Sequence, residues 1–109
     1  MNNPTVIIHT YNEEKNIRSC IESAKKLTST IIVVDMQSSD KTVEISQKEG
    51  ALVVSFPYSK YVEPAREFGI KQSETDWVFL LDADERITDE LAKEIKQTIH
   101  HSRSTHTYY

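Results

Sequence analysis

Two carboxylates separated by a single residue, Asp82 and Asp84, follow the apolar run at residues 77–81. Two such groups at the end of a buried strand repel one another unless a cation lies between them or one of them takes a proton. A hard divalent ion, which prefers oxygen ligands, would remove that repulsion. The alternative is that the pair solvates a turn and caps the next helix, and the spacing alone favours this second interpretation.

Polar residues also follow two earlier apolar runs. Thr10 and Tyr11 follow the first run, and Tyr11 is suited either to stacking on a nucleobase or to closing over the rim of the core. Asp35 follows the second run, where its carboxylate could accept hydrogen bonds from a base or start a turn. For residues 38–42, which come next, turn formation and helix capping are the favoured roles.

Glycine is scarce in this sequence. The chain contains two glycines, Gly50 and Gly69, and therefore has neither a GxGxxG motif nor a P-loop that could bind a diphosphate through glycine amides. A metal on Asp82 and Asp84 is the remaining means of neutralising a diphosphate, and Arg66 could assist. For Arg66 taken alone, an ion pair with a neighbouring glutamate is the simpler interpretation.

The histidine and cysteine content argues against two other kinds of site. His9 is the only histidine before the last ten residues, so neither a metal-binding histidine pair nor a Cys-His nucleophile is visible. We expect His9 to contribute to packing. Cys20 is the only cysteine, so we expect it to be a core residue of a protein without internal disulfides, in a reducing compartment.

Four apolar runs rich in β-branched residues alternate with segments of helical spacing. The runs predict strands that are covered on both faces, as in a parallel sheet, at residues 5–8, 31–34, 51–54 and 77–81. Alternation of strands and helices requires right-handed crossovers and therefore an open doubly wound sheet. Ligands of such sheets bind beyond the carboxyl ends of the strands, where the polar residues described above are expected to meet.

The helices have identifiable starts and stops. We predict that Asn12 caps the first helix, that Asp40 caps a second helix over residues 41–49 and that Gly50 ends it. Pro64 is predicted in the first turn of the third helix, and Thr88 is predicted to cap the fourth. The apolar residues of the first helix are Ile17, Cys20, Ile21, Ala24 and Leu27, and those of the fourth are Leu91, Ala92, Ile95 and Ile99.

Composition bounds the remaining possibilities. A chain of 109 residues with 38% hydrophobic content is typical of one small globular domain. Its 17 acidic and 13 scattered basic residues give a net charge of −4, which argues against nucleic acid as a partner. The apolar runs are too short to cross a bilayer, so we expect no transmembrane segment and a cytoplasmic location. Residues 100–109 lose apolar periodicity and are expected to be a frayed or disordered tail.

Taken together, four motifs resemble those of family 2 glycosyltransferases in order and spacing. They are Thr10-Tyr11-Asn12-Glu13-Glu14, Ile32-Val33-Val34-Asp35, Pro64-Ala65-Arg66 and Leu80-Leu81-Asp82-Ala83-Asp84, and the match extends over about residues 4–91. The resemblance implies an α/β protein of GT-A fold, with an open, mostly parallel sheet and helices on both faces. Residues 1–99 would be an incomplete nucleotide-sugar-binding domain that stops after the strand of the DxD motif, with the acceptor site and the general base beyond this chain.

The resemblance also implies roles for individual residues. The donor would be a nucleotide sugar, most often UDP-linked, and the cofactor Mn2+ or Mg2+. Asp82 would meet the ribose and Asp84 the metal, with both carboxylates contributing to the metal site. The residues expected at the nucleotide are Thr10, Tyr11, Asp35 and Arg66, together with Glu13 at the family's acidic strand-end position.

The implied reaction is the inverting transfer of a sugar to a glycan or lipid-linked acceptor by direct displacement at the anomeric carbon. The pattern Tyr11-Asn12-Glu13-Glu14 with Asp82-Ala83-Asp84-Glu85-Arg86 resembles the branch that builds lipopolysaccharide core and other surface glycans, which work at the inner face of the cytoplasmic membrane. We expect this chain to bind donor and metal but to turn over poorly by itself. Two alternatives are an aspartate-nucleophile phosphatase with Asp82 as nucleophile, and a receiver-like or degenerate nucleotide-binding module that acts by interaction.

Overall fold

Strands and helices alternate in the computed structural model, which describes residues 3–101 and the backbone of residues 106–108. All four predicted strands and all four predicted helices are present. The strands are β1 (Thr5–Thr10), β2 (Ile31–Asp35), β3 (Leu52–Ser55), β4 (Trp77–Asp82) and β5 (His106–Tyr108). The helices are α1 (Ile17–Ala24), α2 (Thr42–Lys48), α3 (Glu63–Gln72) and α4 (Asp89–His100).

The five strands form one sheet in the order β3-β2-β1-β4-β5, and every neighbouring pair is parallel. The chain first adds β2 and β3 on one side of β1 and then returns to place β4 on the other side. The carboxyl ends of β1 and β4 therefore flank the topological switch point, where ligands of open α/β sheets bind. The prediction of a parallel, doubly wound sheet is confirmed.

Side chains alternate between the two faces of the sheet, as the two-residue period of a strand requires. Val6, Ile8 and Phe79 pack with residues of α1 and α4 on one face, and Ile45 of α2 packs against the same cluster. Ile7, Val34 and Leu80 pack with residues of α3 on the other face. The predicted helices thus cover both faces, and the buried strands are fixed in position between them.

The ends of the helices follow the sequence signals in three cases. The hydroxyl of Thr88 accepts a hydrogen bond from the backbone N–H of Leu91 at 3.1 Å, which confirms it as the cap of α4. Pro64 lies in the first turn of α3, as predicted. Gly50 follows α2 with a φ of 89°, the left-handed conformation that favours glycine after a helix.

The prediction that Asn12 caps α1 is wrong. Helix α1 begins at Ile17, and Asn12 has a φ of 54°, outside the range of a helix cap. A turn precedes the helix, in which the backbone N–H groups of Asn16 and Ile17 donate to the carbonyl of Glu13. The Asn12 side chain instead accepts a hydrogen bond from Ser39 of the neighbouring loop, so a tertiary contact has replaced the local cap.

The expectation of a frayed tail over residues 100–109 is wrong for four residues. His100 ends α4, and His106–Tyr108 form β5 beside β4, with Trp77 paired to His106. The free edge of β4 offers unpaired backbone groups, and a strand there satisfies them. Residues 102–105 and 109 lie outside the described part of the chain.

Among the described residues, no helix is both long enough and apolar enough to cross a membrane.

Candidate functional site

Three side chains meet at the switch point between β1 and β4. His9 and Asp82 are register partners on the two strands, and Arg66 reaches them from the start of α3. Arg66 Nη2 donates to Asp82 Oδ1 at 3.0 Å, and His9 Nε2 lies 3.4 Å from the same oxygen. The partner of Arg66 is therefore Asp82, and not the neighbouring glutamate that the sequence suggested.

His9 has a role that the sequence prediction missed. Its side chain is 15% exposed, so it is largely packed as predicted, but its ring also faces the Asp82 carboxylate. Burial lowers the pKa of His9 below its usual value, although the Asp82 charge partly opposes this. At pH 7 the imidazole is therefore neutral. The only signal in the sequence was its position one residue before the end of β1.

Asp84 differs from Asp82 in being exposed and unpaired. No described residue forms a hydrogen bond or an ion pair with its carboxylate, and the turn that carries it is held without it. Glu85 Oε1 accepts from the Asp82 backbone N–H at 2.8 Å, and Arg86 Nη1 donates to the Ala83 carbonyl at 2.9 Å. The Asp84 carboxylate is thus presented on a fixed turn and remains available to a ligand.

The Asp84 carboxylate could supply one protein ligand to a divalent cation. The described residues contain no group of three or more His, Cys, Asp or Glu side chains that could hold a metal by themselves. Mg2+ and similar ions commonly take one or two protein carboxylates and complete their coordination with substrate phosphates and water. Asp84 is free for this role, while Asp82 Oδ1 is occupied by Arg66 and His9. Arg66 Nε is buried and has no hydrogen-bond partner among the described residues, so it could donate to a ligand at this site.

Asp35 is enclosed by hydrogen bonds at the end of β2. Thr10 Oγ1 donates to Asp35 Oδ1 at 2.7 Å, and Ser38 donates to both carboxylate oxygens, through Oγ at 2.6 Å and through its backbone N–H at 2.9 Å. Asp35 is 4% exposed and Thr10 is fully buried. The Asp35 carboxylate starts the turn, which is one of the two roles left open for it, and its role at the nucleotide stays a prediction. The Thr10 side chain is buried and its hydroxyl positions Asp35, while its expected role at the nucleotide stays a prediction.

The loops that follow β1 and β2 are cross-linked by side chains. Residues 38–42 turn the chain as predicted, but the N-cap of α2 is Lys41 and not Asp40, whose Oδ1 accepts from the backbone N–H of Thr42 at 2.9 Å. The same residues also bind the loop after β1. In that loop, the backbone N–H groups of Asn12, Glu13 and Glu14 donate in order to Ser38 Oγ, Thr42 Oγ1 and Asp40 Oδ2, at 2.7, 2.8 and 3.2 Å. Glu13 is half-buried, and its carboxylate accepts from the Asn16 amide. These hydrogen bonds hold in position the loops after β1 and β2, which border the crevice beyond the carboxyl ends of these strands.

Tyr11 lies on the rim of this crevice and contacts a second tyrosine. Tyr11 and Tyr58 are 43% and 52% exposed, and their ring centroids are 4.4 Å apart at an interplanar angle of 49°. The sequence prediction singled out Tyr11 but not Tyr58. The sequence does show that Tyr58 is an aromatic residue shortly after β3, but it does not show which surface Tyr58 contacts.

A family comparison identifies the architecture. The profile described as Glycosyl transferase family 2 matches residues 5–107. The chain belongs to this family. An uncharacterized glycosyltransferase of Rickettsia typhi is 40% identical over 92 residues, which cover 84% of this chain and 31% of that protein. The glycosyltransferase SunS of Bacillus subtilis is 35% identical over 86 residues, or 74% of this chain and 20% of SunS. The chain thus spans about a third or less of the length of these relatives.

Solved glycosyltransferase structures share the fold. The crystal structure of Staphylococcus aureus TarS residues 1–349 superposes with a TM-score of 0.78 at 30% identity, covering 88% of this chain and 32% of that one. The Mycobacterium tuberculosis glucosyl-3-phosphoglycerate synthase in complex with Mn2+ and UDP-glucose gives a TM-score of 0.67 at 28% identity, covering 76% and 33%. The chain therefore has the GT-A fold that the sequence motifs implied.

Proposed function

We propose that this chain forms the donor-binding part of an inverting glycosyltransferase that uses a UDP-sugar with Mn2+ or Mg2+. The observation that carries the proposal is the exposed, unpaired Asp84 carboxylate, which lies two residues after the Asp82 carboxylate held by Arg66. Both residues lie at the switch-point edge of a sheet whose fold is shared with a structure containing Mn2+ and UDP-glucose. We place the donor in this crevice, with its diphosphate beside Asp84.

The Asp82 and Asp84 carboxylates are suited to bind different parts of the donor. Asp82 is fixed by Arg66 and His9, so it is suited to accept hydrogen bonds from the ribose without moving. Asp84 has no such partners and is suited to ligate the cation. When bound, the metal would stabilise the negative charge that gathers on the departing nucleoside diphosphate.

The charge balance supports metal dependence. The chain carries a net charge of −4, and Arg66, which lies at the crevice, already pairs with Asp82. A diphosphate brought next to Asp84 would meet like charge and be repelled. Binding with useful affinity therefore requires an added cation, and the oxygen ligands available suit Mg2+ or Mn2+.

The proposed reaction also needs an acceptor and a general base. An acceptor hydroxyl attacks the anomeric carbon while a carboxylate base removes its proton. We place that base and the acceptor site outside these residues, because the chain spans 31% of the length of the Rickettsia relative. The proposed acceptor is a glycan or a lipid-linked sugar of the lipopolysaccharide or surface-glycan type, used at the inner face of the cytoplasmic membrane. The support for this narrower placement is the residue pattern around Tyr11 and Asp84.

Calorimetry with UDP in the presence and absence of Mn2+ tests the proposal. We expect UDP to bind with Mn2+ and to bind at least about tenfold more weakly without it, and we expect Asp84→Asn to abolish most of that difference. Asp76→Asn is the matched control, because Asp76 is exposed at the opposite end of the same strand and the substitution removes the same charge. Equal UDP affinity with and without Mn2+ in the wild-type chain would contradict the proposal.

A turnover assay separates donor binding from complete catalysis. Incubated with a UDP-sugar, Mn2+ and a glycan acceptor, this chain should release UDP slowly or not at all. Robust acceptor-dependent release would show that the general base lies within these residues. An interaction module would show no metal-dependent UDP binding, and an aspartate-nucleophile phosphatase would form a phosphoenzyme at Asp82, which family 2 membership does not support.

A further inference from the structure

The tyrosine pair on the rim of the crevice is built from separate loops. Tyr11 comes from the loop after β1, and Tyr58 comes from the loop between β3 and α3, residues 56–62. Both residues are about half exposed, and their rings are in contact with each other. Tilted aromatic pairs at this separation attract one another beyond the burial of their area. The contact therefore restrains two side chains that solvent would otherwise leave free to rotate.

The loop that carries Tyr58 is anchored on either side of that residue. Before it, the Phe56 backbone N–H donates to the Asp35 carbonyl at 2.9 Å, which ties the loop to the end of β2. After it, the chain enters α3, where Arg66 holds Asp82. The Tyr58 backbone N–H itself donates to Gln37 Oε1 at 3.4 Å. Tyr58 is thus held against Tyr11 by the same segment that positions Arg66.

The backbone of the facing loops is unusual at two positions. Asn12 and Gln37 have φ values of 54° and 64°, and left-handed conformations of residues other than glycine concentrate at functional sites. Asn12 directly follows Tyr11, and Gln37 accepts the hydrogen bond from Tyr58. The conformations of both loops therefore support the position of the tyrosine pair.

We propose that Tyr58 is a positioning residue of the nucleobase subsite, which holds the Tyr11 ring in the orientation that stacks on the base. The inference rests on the proposed function, because it assumes a nucleotide in this crevice. Ordering a free aromatic side chain during binding weakens affinity, and a partner that orders it beforehand removes that cost. Tyr58 covers part of the Tyr11 ring and leaves 43% of the residue exposed for a ligand.

Calorimetry of Tyr58→Ala with UDP and Mn2+ tests this role. We expect UDP affinity about three- to tenfold below that of the wild-type chain, and near wild-type affinity for Tyr58→Phe, which keeps the ring. Tyr61→Ala is the matched control, because Tyr61 lies in the same loop, is 70% exposed and makes no ring contact with a described residue. It should bind UDP like the wild-type chain.

A second ligand distinguishes positioning from general damage. Pyrophosphate with Mn2+ lacks a base, so its affinity should be the same for Tyr58→Ala and the wild-type chain. Equal loss for UDP and pyrophosphate, unchanged UDP binding, or tighter UDP binding by Tyr58→Ala would each overturn the inference. Failure of the wild-type chain to bind UDP with Mn2+ would instead overturn the proposed function, and this inference with it.

Discussion

Gly69 lies at the closest approach of α3 to the sheet, and Gly69→Ala tests whether that packing positions the site. A Cβ atom at residue 69 would lie 2.6 Å from Ile7 Cγ2 and 3.0 Å from Val34 Cγ2. Carbon atoms in contact lie about 3.5–4.0 Å apart, so α3 and the sheet must separate by roughly 1 Å. Arg66 lies on the same helix, one turn earlier, and would move with it.

Two opposing effects set the change in the free energy of unfolding. Overpacking a well-packed core costs about 1–3 kcal/mol, while alanine is a better helix former than glycine by about 1 kcal/mol. The overpacking cost exceeds the gain in helix propensity, and we expect Gly69→Ala to lose about 1 kcal/mol of stability. Displacement of α3 should also lengthen the 3.0 Å bond from Arg66 to Asp82 and weaken UDP binding with Mn2+.

Urea denaturation followed by circular dichroism measures the loss. Replacing Ile7 by Leu removes the Cγ2 branch at nearly constant volume, so the double variant Gly69→Ala/Ile7→Leu should lose less than the sum of the single variants. Gly50→Ala is the control, because its cost comes from a φ of 89° with no atom within 4 Å, and it should combine additively with Ile7→Leu. A Gly69→Ala variant as stable as the wild-type chain would refute the reasoning.

Two further predictions concern α4 and the buried thiol. Thr88→Ala should cost about 1 kcal/mol of stability, because it removes the hydroxyl that accepts from the Leu91 backbone N–H. Thr98→Ala is the control and should be nearly neutral, because it loses only a hydroxyl that donates to the Glu94 carbonyl of the same helix. Equal urea midpoints for the two variants would contradict this. Burial raises the pKa of Cys20 to about 12 from its usual 9.0, so between these values the Cys20 thiol ionises in the unfolded chain but not in the folded one. The contribution of the buried thiol to stability is therefore complete below pH 9.0 and is lost as pH rises toward about 12. The wild-type chain should therefore lose more stability above pH 9.0 than Cys20→Ala does, and parallel pH profiles would contradict the burial.

Most of the fold could be predicted because its signals are local. β-Branched runs mark β1, β2, β3 and β4, and alternation with helical segments leaves a parallel doubly wound sheet as the consistent arrangement. Thr88 could be recognised as a cap from its position before an amphipathic segment. The start of α1 could not, because Asn12 bonds to Ser39 in another loop. Strand β5 was also missed, since its formation depends on the free edge of β4 and not on its own composition.

The candidate site divides in the same way. The sequence by itself determined that Asp82 and Asp84 follow a buried strand, because residue order and strand burial are properties of a short segment. Only the tertiary structure decided that Arg66 pairs with Asp82, that His9 lies against the same carboxylate oxygen, and that the Thr10 hydroxyl donates to Asp35.

The physical reason lies in how the partners are brought together. Each of these contacts joins residues from different strands, loops or helices, and the register of the sheet sets their separation. His9 meets Asp82 because parallel pairing aligns β1 with β4 at that step, and Tyr58 meets Tyr11 because the loop after β3 crosses the same edge. Local sequence patterns determine which strands and helices form, but only their packing determines which side chains form ion pairs or ring contacts.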